Sequence, residues 1–336
     1  MPARTALVTG GRGFVGAWLV RELLERGHRV VSLDLAASRE RPSGLALLGI
    51  EREVIDIEGD LLDAHLVRGA LADHRVDTVF HLAAQTIVGA AAASPGVTLE
   101  VNVRGTWSLL EACRDHGAVR VVVASSDKAY GAHEELPYRE DFALRPTASY
   151  EASKAAADLI ARSYWHSHGL PVAVSRFANV YGGGDTNFSR LIPEAVSAAL
   201  DGRPPVLRSD GSPERDFLYV EDAARAYVAV AEGLDRDEVR GQAFNAGLGR
   251  PYRVREVVEL IARLAGTGVE PEIRGIGSPE GEIDRQYVDP SKIRDLLGWE
   301  PQIELEEGLR HTIEWYRAHP EVRAQAANRT PRDDIN

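Results

Sequence analysis

The chain predicts a doubly wound parallel α/β sheet with a smaller C-terminal lobe, and three observations carry that prediction. Short β-rich runs alternate with longer amphipathic ones over the first 180 residues. Two of the β-rich runs, Thr78-Val79-Phe80-His81-Leu82 and Val119-Arg120-Val121-Val122-Val123-Ala124, are nearly continuous apolar stretches, as strands covered on both faces are. A glycine-rich turn separates the first strand from the first helix.

In order along the chain, strands are expected at 4–9, 29–33, 53–57, 77–82, 119–125 and 172–176, with helices near 14–26, 61–72, 98–116 and 149–168. Regular β-α alternation implies right-handed crossovers. Past residue 180 the rhythm breaks at Gly182-Gly183-Gly184, Gly202-Arg203-Pro204-Pro205 and Gly275 to Gly281. The expected organisation is a dinucleotide-binding domain over 1–180, a mainly substrate-binding lobe over 181–320 with chain returning to the first domain, and a frayed polar tail over 321–336.

Composition bounds the partners. Hydrophobic residues make up 44% and charged residues 27%, the balance of a globular protein with a sizeable core. Net charge is −12 without a basic stretch, which argues against nucleic acid or an anionic membrane as the main partner. No apolar run approaches a membrane span, and the first strand starts almost at Met1, leaving no room for a signal peptide. The single cysteine, Cys113, excludes an internal disulfide and reads as helical filler. A cytoplasmic location is the expectation. The ten histidines show no metal-site spacing, so no metal is expected; His166 and His168 read as helix-end caps.

The strand Ala6-Leu7-Val8-Thr9 runs into Gly10-Gly11-Arg12-Gly13-Phe14-Val15-Gly16 and then a helix. Gly10, Gly13 and Gly16 permit a tight turn that lets a pyrophosphate approach the helix N-terminus, with Phe14 and Val15 opening the helix beside it. Asp34 ends the second strand, 18 residues past Gly16, where a carboxylate accepts from adenosine ribose hydroxyls and repels a 2′-phosphate. This predicts NAD rather than NADP. Asp60-Leu61 follows the third strand and could face the adenine; Asp60 as the N-cap of a helix over 61–72 explains it about as well.

Tyr150 and Lys154 lie four apart at a helix start, hence on one face. A nearby ammonium favours the phenolate, so the pair can accept a proton from a hydroxyl during hydride removal. Taken alone, Tyr-x-x-x-Lys is an ordinary helical spacing; the preceding fingerprint and the strand ending in Ser125-Ser126 give it weight.

The order Gly10-x-x-Gly13-x-x-Gly16, Asp34, His81-Leu82-Ala83-Ala84, Ser125-Ser126, Tyr150-x-x-x-Lys154 resembles extended short-chain dehydrogenase/reductases that process nucleotide sugars. The resemblance spans essentially the whole chain, including Arg215-Asp216-Phe217-x-x-Val220-x-Asp222 and Gly298-Trp299-x-Pro301. It implies a Rossmann-type domain, bound NAD and a nucleotide-diphosphate sugar as substrate. It also implies that Leu82, Ala83 and Ala84 line the cofactor, that Ser126 bonds the sugar's 4-oxygen, and that a homodimer forms through helices 98–116 and 149–168.

Within that family Ser126-Asp127-Lys128 resembles 4,6-dehydratases, which need an acid and a second group to eliminate water. The Asp-Lys pair is similar to CDP-glucose 4,6-dehydratases, where dTDP-glucose enzymes carry Asp-Glu. The same likeness extends through Gln85-x-Ile87-Val88-Gly89, Tyr181-Gly182-Gly183-Gly184-Asp185-x-Asn187-Phe188-Ser189-Arg190 and Arg208-Ser209-Asp210-Gly211. Asp127 is the expected acid, and Lys128 either a base neutralised by burial or a stabiliser of the enolate; an ordinary surface ion pair is the competing reading of both. Gln85, Asn179, Asn187, Arg190, Arg208, Arg215 and Arg285 are the expected substrate contacts. Arg176-Phe177-Ala178-Asn179 looks epimerase-like, and Thr147-Ala148-Ser149-Tyr150 lacks the His-Pro usual before the tyrosine. A 4-epimerase is therefore the second reading and a catalytically silent NAD-binding protein the third.

Overall fold

A computed structural model describes residues 4–38, 42–117, 119–277 and 283–327. Seven parallel strands form the main sheet, in the spatial order Ala243–Ala246, Val172–Phe177, Arg120–Ala124, Thr78–His81, Thr5–Thr9, Arg29–Asp34, Ile55–Glu58. The first six in sequence match the expected strands to within two residues at each end. The seventh, Ala243–Ala246, comes from beyond residue 180 and returns to the sheet edge.

Strand order reverses at Thr5–Thr9, which pairs with Arg29–Asp34 on one side and Thr78–His81 on the other. A crevice opens at the carboxyl ends of strands at such a switch point.

Side-chain alternation builds a core on each face of the sheet. Ala6, Val8, Phe80, Val122 and Ala173 point to the face covered by helices Phe14–Glu25 and Val220–Gly233. Leu7, Val31, Leu33, Val79, Val121, Val123 and Val174 point to the other, under Ala64–His74, Gly105–His116 and Ser149–His168. Each such Val or Leu removed from water contributes about 1.5–3 kcal/mol. Cys113 is buried in the second core, and burial pushes its thiol up to about 12.

Two helices differ from expectation. The helix expected over 61–72 runs Ala64–His74, and its N-cap is Asp63, not Asp60: the Asp63 carboxylate accepts from His65 N (2.9 Å) and Leu66 N (3.1 Å). Asp60 instead closes a turn onto Leu62 N (2.9 Å). The run over 98–116 is interrupted, with α-helix at Pro95–Leu99, a π-helical turn at Glu100–Arg104 and α-helix again at Gly105–His116.

Helices Leu191–Leu200, Val254–Ala265 and Leu305–Ala318 close around a third core, the C-terminal lobe. Two buried aspartates brace it. Asp216 accepts from the backbone N–H groups of Leu248 (3.0 Å) and Gly249 (3.2 Å). Asp222 accepts from Gln302 N (2.9 Å) and Ile303 N (3.0 Å), while the Trp299 indole donates to its carbonyl (3.2 Å). The segments Arg215–Asp222 and Gly298–Pro301, far apart in sequence, are thus one structural bracket.

The frayed tail expected over 321–336 does not begin there. Pro320–Ala327 is helical, because Val322 is buried in the lobe core and Arg323 pairs with Asp201 (2.7 Å). Residues 328–336 lie outside the described residues, as do 278–282 of the glycine-rich run. Among the described residues, no helix is long and apolar enough to cross a membrane.

Candidate functional site

The glycine turn sits at the switch-point crevice. Gly10 adopts φ +75° and approaches the next loop so closely that a Cβ there would lie 2.8 Å from Ala83 N. At Gly16 a Cβ would come within 2.0 Å of the Gly10 carbonyl oxygen, so a side chain at either position would force the turn apart. The N-cap of helix Phe14–Glu25 is Gly13, which brings no side chain to the first-turn N–H groups. An uncapped helix start over a glycine turn fits a pyrophosphate. Phe14 and Val15 are half-buried, packed toward the lobe core and the main core respectively.

Asp34 accepts from Arg12 N (3.0 Å) and Leu35 N (2.8 Å), which aims its carboxylate into the crevice from the end of its strand. Leu82, Ala83 and Ala84 follow the strand that ends at His81, tied to Thr9 by the Leu82 N to Thr9 O bond (3.1 Å) and the Ala83 N to Thr9 Oγ1 bond (3.3 Å). Leu61 is buried in the second core, where a Cβ at Gly105 would touch its Cδ2, so its side chain serves packing. These residues fit NAD: Gly10, Gly13 and Gly16 at the pyrophosphate, and Asp34 at the adenosine ribose.

Ser126, Asp127 and Lys128 follow the strand Arg120–Ala124 as a 3₁₀ turn over Asp127–Tyr130. Ser126 Oγ accepts from Lys128 N (3.2 Å) and donates to Asp127 Oδ1 (3.1 Å). Asp127 is 1% exposed, which removes the surface ion pair as its explanation. Burial pushes its carboxyl up against the opposing pull of Lys128, Ser126 and Arg215, and its Oδ2 has no protein partner. A raised carboxyl with a free oxygen suits a proton donor. Lys128 Nζ is directed to the Gln286 amide oxygen (3.5 Å).

Tyr150 and Lys154 project from the first two turns of helix Ser149–His168, both buried. Burial pushes the Tyr150 phenol up to about 12, Asp127 adds to the rise, and Arg190 and a hydrogen bond with Ser126 oppose it. Lys154 Nζ donates to the Ala124 carbonyl (2.9 Å), and Arg190 is a cation whose charge opposes the rise of the phenol.

Burial pushes the Lys154 ammonium down to about 8. Between that value and the ordinary lysine value of about 10.4, the unfolded chain holds a proton that the folded chain has lost. Stability therefore rises with pH through this window, and below it the full cost of the buried charge is present. Lys154→Met is expected to change the melting temperature of the nucleotide-free protein most favourably near pH 7, with the variant-minus-wild-type difference falling toward about pH 10. A thermal-shift series across that range checks this; a pH-independent difference contradicts it.

The structure brings two of the expected substrate residues to this cluster. Arg190 pairs with Asp185 (2.9 Å) and its charge reaches Tyr150. Arg215 bears electrostatically on Asp127 while its guanidinium donates to the Glu214 carbonyl (3.0 Å). Arg285 lies on the strand beside Arg215, paired with Glu214 (2.5 Å) and over the Tyr287 ring. The others have structural bonds. Asn179 Nδ2 donates to the Asp216 carbonyl (3.0 Å), Asn187 Oδ1 accepts from Ser189, and Gln85 Oε1 accepts from Ile87 N (2.6 Å). Burial pushes the Glu194 carboxyl up, and the charge of Arg208 is among those that oppose the rise.

Sequence reasoning assigned no role to three groups. Asn102, in the π-helical turn, accepts from Gln85 N (2.7 Å) and donates to Gln85 O (3.0 Å) and Ser153 Oγ (2.9 Å), locking the crevice loop to the tyrosine helix. π-Turns recur at functional sites, and a buried asparagine inside an apolar helical pattern was the available signal. His81 bridges Thr9 Oγ1 (2.8 Å) and Thr106 Oγ1 (3.0 Å), and burial holds its ring neutral, pushed down to about 3. Gln286 is fully buried beside Lys128 with its Nε2 unpartnered. Conversely, Arg176 is not a pocket residue: it is buried in a bidentate pair with Asp158 (2.7 and 3.0 Å) and donates to Tyr130 Oη (3.0 Å).

A helix-start dinucleotide cradle joined at one crevice to a Ser–Tyr–Lys set defines a short-chain dehydrogenase/reductase site. The family model described as GDP-mannose 4,6 dehydratase matches residues 7–312. The chain is 35% identical over 331 residues to a dTDP-glucose 4,6-dehydratase of Xanthomonas campestris, covering 93% of each. It is also 35% identical over 318 residues to a UDP-glucose 4-epimerase of Mycolicibacterium smegmatis, covering 93% of this chain and 98% of that one. The crystal structure of dTDP-glucose 4,6-dehydratase from Bacillus anthracis in complex with NAD superposes with a TM-score of 0.83 at 28% identity, covering 95% and 98% of the two chains. This chain belongs to the NAD-dependent epimerase/dehydratase family of extended short-chain dehydrogenase/reductases. It is an enzyme of that kind, with NAD as cofactor.

Proposed function

We propose that the chain is a nucleotide-sugar 4,6-dehydratase, converting an NDP-hexose to the NDP-4-keto-6-deoxyhexose, with CDP-glucose the favoured substrate. The observation that carries this reading is the buried Asp127, its carboxyl pushed up and one oxygen unpartnered, directly beside Ser126 and Tyr150. An epimerase has no need of an acid there, because no oxygen leaves the sugar.

NAD supplies the hydride acceptor and donor, and its cationic ring favours the Tyr150 phenolate. Ser126 orients the sugar's 4-hydroxyl, and Tyr150 takes its proton as C4 is oxidised. Oxidation makes the C5 proton acidic. A base in the site removes that proton, Asp127 gives its own proton to the departing 6-hydroxyl, and Lys128 faces the negative charge that builds on the enolate. The hydride taken from C4 then returns to C6, and C5 takes a proton exchanged with solvent. Arg190, Arg215 and Arg285 supply donors for the diphosphate. The favoured nucleobase rests on the Asp127-Lys128 pair and the similar segments at Gln85–Gly89, Tyr181–Arg190 and Arg208–Gly211, and the relatives above act on dTDP- and UDP-sugars by name.

Products formed from CDP-, dTDP-, UDP- and GDP-hexoses in deuterated water, read by mass spectrometry, test this. The expected product has lost water and gained one deuterium at C5, most rapidly from CDP-glucose. An epimer that keeps all its oxygens and carries no solvent label refutes dehydration.

A homodimer is part of the proposal. Leu99, Trp107 and Leu159 are 44%, 42% and 56% exposed on the two helical segments expected to pair, and Val97, just ahead of the first, is 61% exposed. Exposed apolar side chains clustered on neighbouring helices suit a subunit contact. Sedimentation is expected to give a dimer for the wild type and a monomer for Trp107→Glu/Leu159→Arg.

A further inference from the structure

Arg12 occupies the glycine turn, one residue before Gly13, where a guanidinium could reach the adenosine ribose. Its backbone N–H already donates to Asp34 Oδ2 (3.0 Å), so the side chain starts beside the carboxylate that reads that ribose. Yet the guanidinium is turned away into a cage on the edge strand. Its Nε donates to both oxygens of Asp56 (3.2 and 3.0 Å) and its Nη2 lies 2.9 Å from Asp56 Oδ2. Its Nη1 donates to Glu58 Oε2 (3.2 Å) and to the Leu35 carbonyl (2.9 Å). The strand register explains the cage: Asp56 and Glu58 are two apart, hence on one face, opposite Ser32 and Asp34. The Arg12 side chain is only 13% exposed.

We infer that Asp56 and Glu58 hold Arg12 shut and so withhold it from a 2′-phosphate, a second determinant of NAD over NADP behind the repulsion by Asp34. This rests on NAD being the cofactor and extends it. An arginine at this turn is otherwise well placed to make charge-assisted bonds to a ribose phosphate, the strongest hydrogen bonds available to it. Two carboxylates spend that capacity within the protein.

Direct binding to the purified nucleotide-free protein tests the inference without reference to turnover, using 2′,5′-ADP as the probe and 5′-ADP as the control. In an Asp34→Ser background, which removes the first determinant, adding Asp56→Asn and Glu58→Gln is expected to tighten 2′,5′-ADP by about tenfold or more. Binding of 5′-ADP is expected to change by less than about threefold, and Arg12→Gln, added last, is expected to abolish the gain. No gain, or a gain that survives Arg12→Gln, overturns the inference, because the carboxylates would then act by repulsion alone. Should the Asp34→Ser variants not fold, Asp56→Asn/Glu58→Gln in the wild-type background is measured by tryptophan quenching. The ratio of NADP to NAD affinity is expected to rise there, and an unchanged ratio overturns the inference equally.

Discussion

Tyr150→Phe is expected to lower kcat by about 10³-fold or more while the protein still binds NAD. The phenol is buried against Ser126, with Arg190 the cation that opposes its raised pKa. Removing one oxygen leaves the packing of the ring and the cradle at Gly10, Gly13 and Gly16 untouched, but no group remains to take the 4-hydroxyl proton. Loss of a positioned general base costs about 10²–10⁴-fold. Steady-state turnover, together with nucleotide released on denaturation, measures both halves. Retention of more than a tenth of the activity would remove Tyr150 from the proton path.

Asp127→Asn is expected to separate the two halves of the reaction. Asparagine keeps the size of the buried group but cannot donate an acidic proton, so C4 oxidation proceeds and water departs about 10²–10⁴-fold more slowly. Reduced nicotinamide should then accumulate in a single turnover, seen by its absorbance, with little 6-deoxy product. The pH dependence follows from the direction of the shift. Asp127 acts as an acid and burial raises its pKa, so in the wild type the dehydration rate is full below that raised value and falls as pH rises through it. C4 oxidation should not follow the same profile. Lys128→Arg keeps the charge at the enolate and should retain measurable dehydration, where Lys128→Met should not. Equal loss of oxidation and dehydration in Asp127→Asn would make Asp127 a structural residue.

Much of the fold was legible because its signals are local. Six strands declared themselves by β-rich runs, and the glycine turn by its place between strand and helix. The seventh strand, Ala243–Ala246, was not legible: four residues carry too little periodicity, and only pairing with Val172–Phe177 makes them a strand. The cap of helix Ala64–His74 was misread for a related reason. Asp60 and Asp63 are equally good capping residues, and the choice between them depends on where the preceding turn ends. In the site, spacing picked out Tyr150 and Lys154 and the family resemblance picked out Ser126 and Asp127; all four lie on the segments that follow or flank the strand Arg120–Ala124. The arginines and asparagines were harder, since nothing local distinguishes one that faces a ligand from one that closes a turn, as Asn187 does.

By itself the sequence determined the doubly wound sheet, the dinucleotide cradle with Asp34 at its end, and the serine–tyrosine–lysine set. The strands, the glycine turn and the Tyr150–Lys154 spacing are local patterns, and the resemblance to nucleotide-sugar short-chain dehydrogenase/reductases joined Ser126 to them. Only the tertiary structure decided that Lys154 Nζ bonds the Ala124 carbonyl, that Arg176 is bound to Asp158, and that Asp56 and Glu58 close on Arg12. The Arg176 and Arg12 pairings join charges 18 to 46 positions apart in the chain. Which carboxylate a guanidinium finds, and how deeply a phenol or ammonium is buried, are properties of the packed molecule, because both follow from distance and desolvation rather than from order along the chain.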